Sequence, residues 1–286
     1  MQVDLHAHST ASDGTEPPAD LVAGAARAGL GAIALTDHDT LEGLDAAAAA
    51  ADALGVRLIP GVELSCQWDA GAMHLVVLFL EPGSGPLQDR LAGLRAARDG
   101  RNARIVERLV GMGIEITLDE VEAEAGGGSV GRPHLAAVLV RKQVVPDIPT
   151  AFDRYLAAGR PAYVGRERLT PAEAISLARA SSAVPVLAHP FTLGIALDSE
   201  LRATLRGLAE MGLIGVEVEY STHLPEERLR LRRIAADAGL LPSGGSDYHG
   251  AYKPDIQLGV GKGDLAVAGS ILDDLEAARP TMLPAR

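Results

Sequence analysis

Five of the eight histidines in this chain fall in four short signatures: His6-Ala7-His8, Thr36-Asp37-His38-Asp39, Ala188-His189-Pro190 and Ser246-Asp247-Tyr248-His249. A sixth, His74, opens an apolar run shortly after Glu63. Imidazole and carboxylate are the usual ligands of Zn, Mn and Fe. His6 and His8 are two apart in an extended segment, so alternation puts both on one face, where they can grip one ion. Asp13 lies in the loop Ser12-Asp13-Gly14, His38 ends an apolar strand, and the two oxygens of Glu63 can bridge two ions. Each residue also has an ordinary reading. A lone histidine such as His189 is commonly a hydrogen-bonded structural group, and Asp13, Asp37 and Asp39 suit turns and caps. Independent accidents would not all fall at strand ends, where α/β barrels gather their functional groups. The pattern therefore points to a multinuclear metal site.

Strand and helix signals alternate around these residues. The first half reads as strand Val3–Leu5, a helix from about Pro17, strand Ala32–Thr36, helix Glu42–Leu54, then strands at Arg57–Ile59, Val62–Leu64 and His74–Leu80. The second half reads as helix Pro171–Ala180 with Thr170 as cap, strand Val184–Ala188, helix Glu200–Met211, strand Ile214–Glu219 and helix Pro225–Ala238. Such alternation predicts a parallel sheet, open or closed. Strand signals fade between about 97 and 164. There the pattern predicts an arginine-rich helix from Pro86 through Val110, a flexible break at Gly126-Gly127-Gly128, a helix starting at Arg132-Pro133-His134 and a short one over Thr150–Ala157. The expected organisation is an α/β domain of residues 1–97 and 165–286 carrying a small, mostly helical insertion at 98–164.

Composition narrows the classes. Nearly half the residues are apolar and only 3% aromatic, so alanine, leucine and valine must fill the layers between helices and strands. The formal charge of −12 argues against a long nucleic-acid groove. It does not exclude a phosphate substrate, because bound divalent cations invert the local potential. The single cysteine, Cys66, rules out an internal disulfide and a thiolate zinc cluster. With no signal-peptide pattern and no membrane-length apolar run, the expectation is a cytoplasmic protein with no obligate protein partner visible.

The motifs resemble those of the PHP (polymerase and histidinol phosphatase) family. The matching pieces are Asp4-Leu5-His6-Ala7-His8-Ser9 with Ser12-Asp13-Gly14, Thr36-Asp37-His38-Asp39, Gly61-Val62-Glu63, His74, Ala188-His189-Pro190 and Gly245-Ser246-Asp247-Tyr248-His249. The resemblance implies a distorted (β/α)7 barrel with two or three divalent transition-metal ions (Mn, Fe or Zn). Carried over by motif, His6, His8, Glu63 and Asp247 hold one ion, Glu63, His74 and His189 a second, and Asp13, His38 and His249 a third. Turnover is then expected to depend on Asp247 and His8, with Asp37 orienting ligands.

The insertion segments Gly131-Arg132-Pro133-His134-Leu135-Ala136, Ala151-Phe152-Asp153-Arg154-Tyr155-Leu156 and Gly159-Arg160-Pro161-Ala162-Tyr163-Val164 are similar to those of small bacterial PHP phosphoesterases. Some of these remove the 3′-phosphate of nucleoside 3′,5′-bisphosphates, and others degrade short RNA from the 5′ end. The similarity assigns Arg132 and His134 to a substrate phosphate, with His134 assisting catalysis as a donor or acid. The ordinary reading of Arg132-Pro133-His134 is a helix start. Ser221 and His223 are expected to line the pocket from a strand end, although an ordinary surface place for His223 is equally open. The expected reaction is hydrolysis of a small nucleotide's phosphate ester by attack of metal-bound hydroxide. Three alternatives stand beside it. One is another phosphoesterase, such as a histidinol-phosphate phosphatase or a 5′-3′ exonuclease on short oligonucleotides. Another is an amidohydrolase with a lysine ligand, for which Lys142, Lys253 and Lys262 offer no clear motif. The last is a non-catalytic metal- or nucleotide-binding module.

Overall fold

Strands β1 (Gln2–Ala7), β2 (Ala32–Leu35) and β3 (Arg57–Cys66) are parallel neighbours, connected through helices α1 (Pro18–Arg27) and α2 (Leu44–Leu54). The computed structural model describes residues 1–126, 130–165 and 167–281, so Gly127 and Gly128 of the expected flexible break lie outside the described residues. β4 (Met73–Leu78) follows β3, and after the insertion come α7 (Pro171–Ala180), β5 (Val184–Leu187), α8 (Asp198–Glu210), β6 (Gly215–Tyr220), α9 (Pro225–Asp237) and β7 (Leu241–Gly245). A two-residue strand β8 (Val267–Ala268) and helix α10 (Gly269–Ala277) complete the described elements. The sheet order is β7-β6-β5-β4-β3-β2-β1-β8.

The sheet bends almost into a closed barrel, with β7 returning to β1. Past the end of β7, Asp247 N donates to His6 O at 2.8 Å and His8 N to Tyr248 O at 3.0 Å. The seam needs Gly245, because a Cβ there would lie 2.4 Å from the His6 backbone nitrogen. The architecture is the expected distorted barrel, and the distortion has a specific source. β4 runs antiparallel to both β3 and β5. The connection 67–72 is too short for the dozen-residue crossover that a parallel neighbour requires, so β3 and β4 form a hairpin.

The two strands expected at Arg57–Ile59 and Val62–Leu64 are one continuous β3. Pro60 still accepts a backbone hydrogen bond from Leu80 N, and the missing Cβ of Gly61 lets the strand pass close to Val77 O. The alanine tract of α2 is helical and stops at Gly55, whose φ of 68° suits glycine. Thr170 and Glu173 form a reciprocal capping box at α7.

Between β4 and α7 lie α3 (Pro86–Gly111), α4 (Leu118–Glu124), α5 (Arg132–Arg141) and α6 (Ile148–Ala151). The helix expected over Thr150–Ala157 is instead α6 followed by a π-helical segment, Phe152–Leu156. Ile105, Leu109, Val121, Leu135, Leu139 and Leu156 belong to a hydrophobic core of their own. Leu87, Leu91 and Leu94, on the first half of the same α3, pack into the barrel's core with β3, β4 and α7. α3 is therefore the girder joining the two cores. No described helix is long and apolar enough to cross a membrane.

Candidate metal centre

All nine candidate ligands lie at or just beyond the ends of barrel strands, or in the loops there. β1 and its extension carry His6 and His8, the following loop Asp13, the β2 end His38, and the hairpin Glu63 and His74. His189 follows β5, and Asp247 and His249 follow β7. The backbone is strained at two of them. His189 has φ 27° and Asp247 φ 54°, a region that costs a non-glycine residue about 1–3 kcal/mol.

Two imidazole nitrogens and two carboxylate oxygens crowd together at the end of β1. His6 Nε2 and His8 Nε2 are 3.1 Å apart. Glu63 Oε2 lies 3.5 and 3.2 Å from them, and Asp247 Oδ1 3.6 and 3.4 Å. Ligands bound at about 2.0–2.2 Å around a tetrahedral ion are separated by about 3.3–3.6 Å, and each carboxylate oxygen lies at about that spacing from both imidazole nitrogens, so the two imidazoles with either carboxylate fit a divalent cation. Glu63 Oε1 meets His74 Nδ1 at 2.8 Å and His189 Nε2 at 3.1 Å, which makes Glu63 a bridge. Asp13 Oδ1 lies 3.4 Å from His249 Nε2, and Asp13 Oδ2 3.7 Å from His38 Nε2. His38 Nδ1 is buried without a hydrogen-bond partner, 3.1 Å from Glu63 Oε2. Three groups have ligand atoms within 4.8 Å of one another: His8, Asp13, His38 and His249; His6, His8 and Asp247; His38, Glu63 and His74. They share His8 and His38, so the ligand field is continuous rather than cleanly partitioned as the motifs suggested.

The electrostatics suit cation capture. Burial pushes the carboxyl groups of Glu63, Asp13 and Asp247 upward, but the imidazoles around them, and Lys253 beside Asp247, hold all three well below the ordinary range. Burial pulls the imidazoles the other way. It wins at His38, lowered to about 3, and at His74 and His249. At His8 the Asp247 and Glu63 carboxylates outweigh it and raise the pKa to about 9. At His6 the carboxylates, Glu217 foremost, likewise hold the ring well above its ordinary value.

A cavity of about 510 Å³ opens beside this field. Asp13, His38 and His74 stand on its wall together with the guanidinium side chains of Arg98, Arg101, Arg132 and Arg168. Arg98 is bound to Asp39 at 2.7 Å. Arg132 donates to Leu156 O and faces the rings of Phe152 and Tyr163, with no carboxylate partner among the described residues. Arg168 Nε is buried without a hydrogen-bond partner among the described residues.

Known proteins are similar to this chain in sequence and fold. The PHP domain profile matches residues 4–88. A 5′-3′ exoribonuclease of Haemophilus influenzae is 35% identical over 86% of this chain and 89% of its own. The chain belongs to the PHP family. A 3′,5′-nucleoside bisphosphate phosphatase of Chromobacterium violaceum is 32% identical over 86% of this chain and 87% of its own. The structure of a Bifidobacterium adolescentis protein assigned as a metal-dependent phosphoesterase superposes with a TM-score of 0.85 at 33% identity, covering 96% and 95% of the two chains. This PHP protein is accordingly a metal-dependent phosphoesterase, a hydrolase.

Within the PHP site, some expected substrate residues are elsewhere. Ser221 is buried with its hydroxyl donated to Ser246 O, and His223 is buried with Nδ1 on Val218 O. Both brace the β6–β7 end of the barrel and line neither cavity over the ligands. His134 is buried, and its Nδ1 accepts from Gly131 N, so it caps α5. Burial lowers its pKa.

Other residues escaped the motif reading. Glu217 Oε1 holds His6 Nδ1 at 3.0 Å while its Oε2 accepts from His189 N at 2.7 Å. A charged residue inside the apolar run Val216-Glu217-Val218 was the available signal. Asp4, in Val3-Asp4-Leu5, similarly accepts from Ser246 N and Gly259 N. Asp37, expected to orient ligands, accepts from Ser9 and Ser12, and the Ser12 hydroxyl lies 3.5 Å from His8 Nδ1. Lys253 Nζ lies 2.5 Å from Asp247 Oδ2, an ion pair no motif announced.

Proposed function

We propose that this PHP phosphoesterase removes the 3′-phosphate of nucleoside 3′,5′-bisphosphates. The observation that carries this reading is one cavity whose lining is of two chemical kinds: the candidate metal ligands Asp13, His38 and His74, and four arginines. A substrate with two phosphoryl groups can meet both kinds at once. The bisphosphate phosphatase relative supports it.

His6, His8, Glu63 and Asp247 would hold one divalent ion, with Glu63 shared toward His74 and His189, and Asp13, His38 and His249 beside them. Ions there supply Lewis acidity toward phosphoryl oxygens and lower the pKa of water. The rest is the work of side chains. Glu217 fixes the tautomer of His6 by taking its Nδ1–H, which leaves Nε2 to ligate. Arg132 has one N–H on Leu156 O and no other hydrogen bond among the described residues, which leaves the other donors of its planar fork to meet the non-reacting phosphate. The rings of Phe152 and Tyr163 hold that fork in place.

A second reading, 5′-3′ hydrolysis of short RNA, is favoured by the Haemophilus relative and requires the same two kinds of lining. Histidinol phosphate has one phosphoryl group and would leave the arginines unanswered. Lys253 sits as the ion-pair partner of Asp247, which does not suit the amidohydrolase alternative.

The test is turnover of Mn-loaded protein on a nucleoside 3′,5′-bisphosphate, the matching 3′-monophosphate, histidinol phosphate and short 5′-phosphorylated oligonucleotides. The bisphosphate is expected to have the highest kcat/KM, and Arg132→Ala to raise its KM while leaving the 3′-monophosphate nearly unaffected. Equal kcat/KM for bisphosphate and 3′-monophosphate would falsify the two-phosphate reading. Asp247→Ala or His8→Ala is expected to abolish turnover with the fold retained by circular dichroism.

A further inference from the structure

Directly over the candidate ligands is a smaller cavity, about 220 Å³, walled by His38, Glu63, His74, His189, Asp247 and His249. Thr192, Tyr220 and Lys253 complete its lining, and Lys253 is the only lysine or arginine there among the described residues. The backbone that carries Lys253 is anchored, since Ala251 N donates to Thr15 Oγ1 and Lys253 N to Gly250 O.

The two oxygens of Asp247 have separate partners. Oδ1 faces His249 Nδ1, His8 Nε2 and His6 Nε2 at 3.3, 3.4 and 3.6 Å. Oδ2 accepts from the Tyr220 hydroxyl at 2.7 Å and from Lys253 Nζ at 2.5 Å. Tyr220 alone would hold Oδ2 outward, so holding Asp247 does not require a full positive charge. An ammonium has three N–H donors. Oδ2 takes one, and Asp247 O lies at the long distance of 3.5 Å. The side chain is 40% exposed, on the cavity side of a field that must receive a phosphate dianion. A preorganised donor aimed at developing charge is what phosphoryl hydrolysis rewards.

We propose that Lys253 is a further catalytic residue: its ammonium binds an oxygen of the phosphoryl group being hydrolysed and offsets the charge that grows there in the transition state. Lys253 forms no covalent bond and keeps its proton throughout. The proposal rests on the ester being cut over this ligand field, and it is independent of which nucleotide carries the ester.

Lys253→Met keeps the length and removes the charge. We expect kcat to fall roughly 10²–10³-fold, as when one preorganised donor is removed elsewhere. Calorimetric titration of the Mn-loaded variant with inorganic phosphate should show affinity weakened by about tenfold or more, a loss of at least ~1.4 kcal/mol. Mn content by elemental analysis should stay at the wild-type level. Unchanged phosphate affinity overturns the proposal. So does loss of Mn with kcat recovering as Mn is raised, which would make Lys253 a positioning residue for Asp247. If the Met variant does not fold, Lys253→Gln takes its place in the same measurements. Wild-type protein that cleaves none of the nucleotides tested would end the substrate reading, while the phosphate titration still decides Lys253.

Discussion

Glu217 shows how one buried carboxylate can organise two parts of a metal site. It holds a ring nitrogen of His6, and it pins the strained backbone from which the His189 ring projects. Glu217→Gln keeps the shape but weakens the pull on the His6 ring proton. Removal of such a partner typically lowers metal affinity by about 10–100-fold, and Mn titration of the apo protein should show a loss of that order with the fold intact. Wild-type affinity in that variant would remove Glu217 from the role. His8 adds a pH signature. Its folded-state pKa is raised to about 9, against about 6.5 unfolded, so its contribution to metal-free stability is complete below about 6.5 and lost as pH rises through about 9. Ion binding must expel that proton, so affinity moves the opposite way and increases with pH. Between pH 6.5 and 9 the Tm of chelator-treated protein should fall while the Tm gain on adding Mn grows. Parallel curves would show that His8 is not protonated in the empty site. That the candidate ligands gather at strand ends was legible, because residue type, strand-end position and motif agreed. The roles of Glu217 and Lys253 were not: Glu217 meets His6 only when the barrel brings β6 near β1, and Lys253 meets Asp247 only through the turn after β7.

Among the elements, α3 has the most consequential position. Its first half is part of the barrel core and its second half part of the insertion core. Between them Arg98, buried, reaches Asp39 at 2.7 Å, one residue beyond His38. That ion pair ties the helix carrying the insertion to the strand end carrying a candidate ligand. Removing one partner of a buried pair costs up to about 3–5 kcal/mol. Arg98→Ala should therefore lower stability to urea by that order and raise the KM of a bisphosphate. A loss below ~1 kcal/mol would mean that water reaches Asp39 freely. Much of this layer could be read from the sequence: α2, α7, α9 and the strands leading to His38 and His189 follow periodicity and capping. The antiparallel β4 and the π-helical segment could not. Strand direction depends on the length of the connection, and Phe152–Leu156 differs from α-helix only in which carbonyl each N–H meets.

Across the whole molecule the question is where positive charge remains available in a chain of net charge −12. The arginine row of α3 looks like a nucleic-acid track in one dimension. In the fold Arg90 pairs with Glu167, Arg95 with Glu42 and Arg98 with Asp39, while Arg104 and Arg108 donate to backbone carbonyls of Gly165 and Tyr163. Arg132 and Arg168 have no carboxylate partner among the described residues, and they line the cavity beside the ligand field. Binding should accordingly saturate with the phosphates that enter the cavity. Each further phosphate of a single strand contacted on a basic surface would add about 0.7 to the slope of log affinity against log salt. A 5′-phosphorylated pentanucleotide and a nucleoside 3′,5′-bisphosphate should therefore have slopes that agree to within about 0.7, measured as KM against potassium chloride. A pentanucleotide slope steeper by about 2 or more would require at least two or three outside contacts. It would mean that the acidic surface conceals a strand path, and the short-RNA reading would then gain over the mononucleotide one.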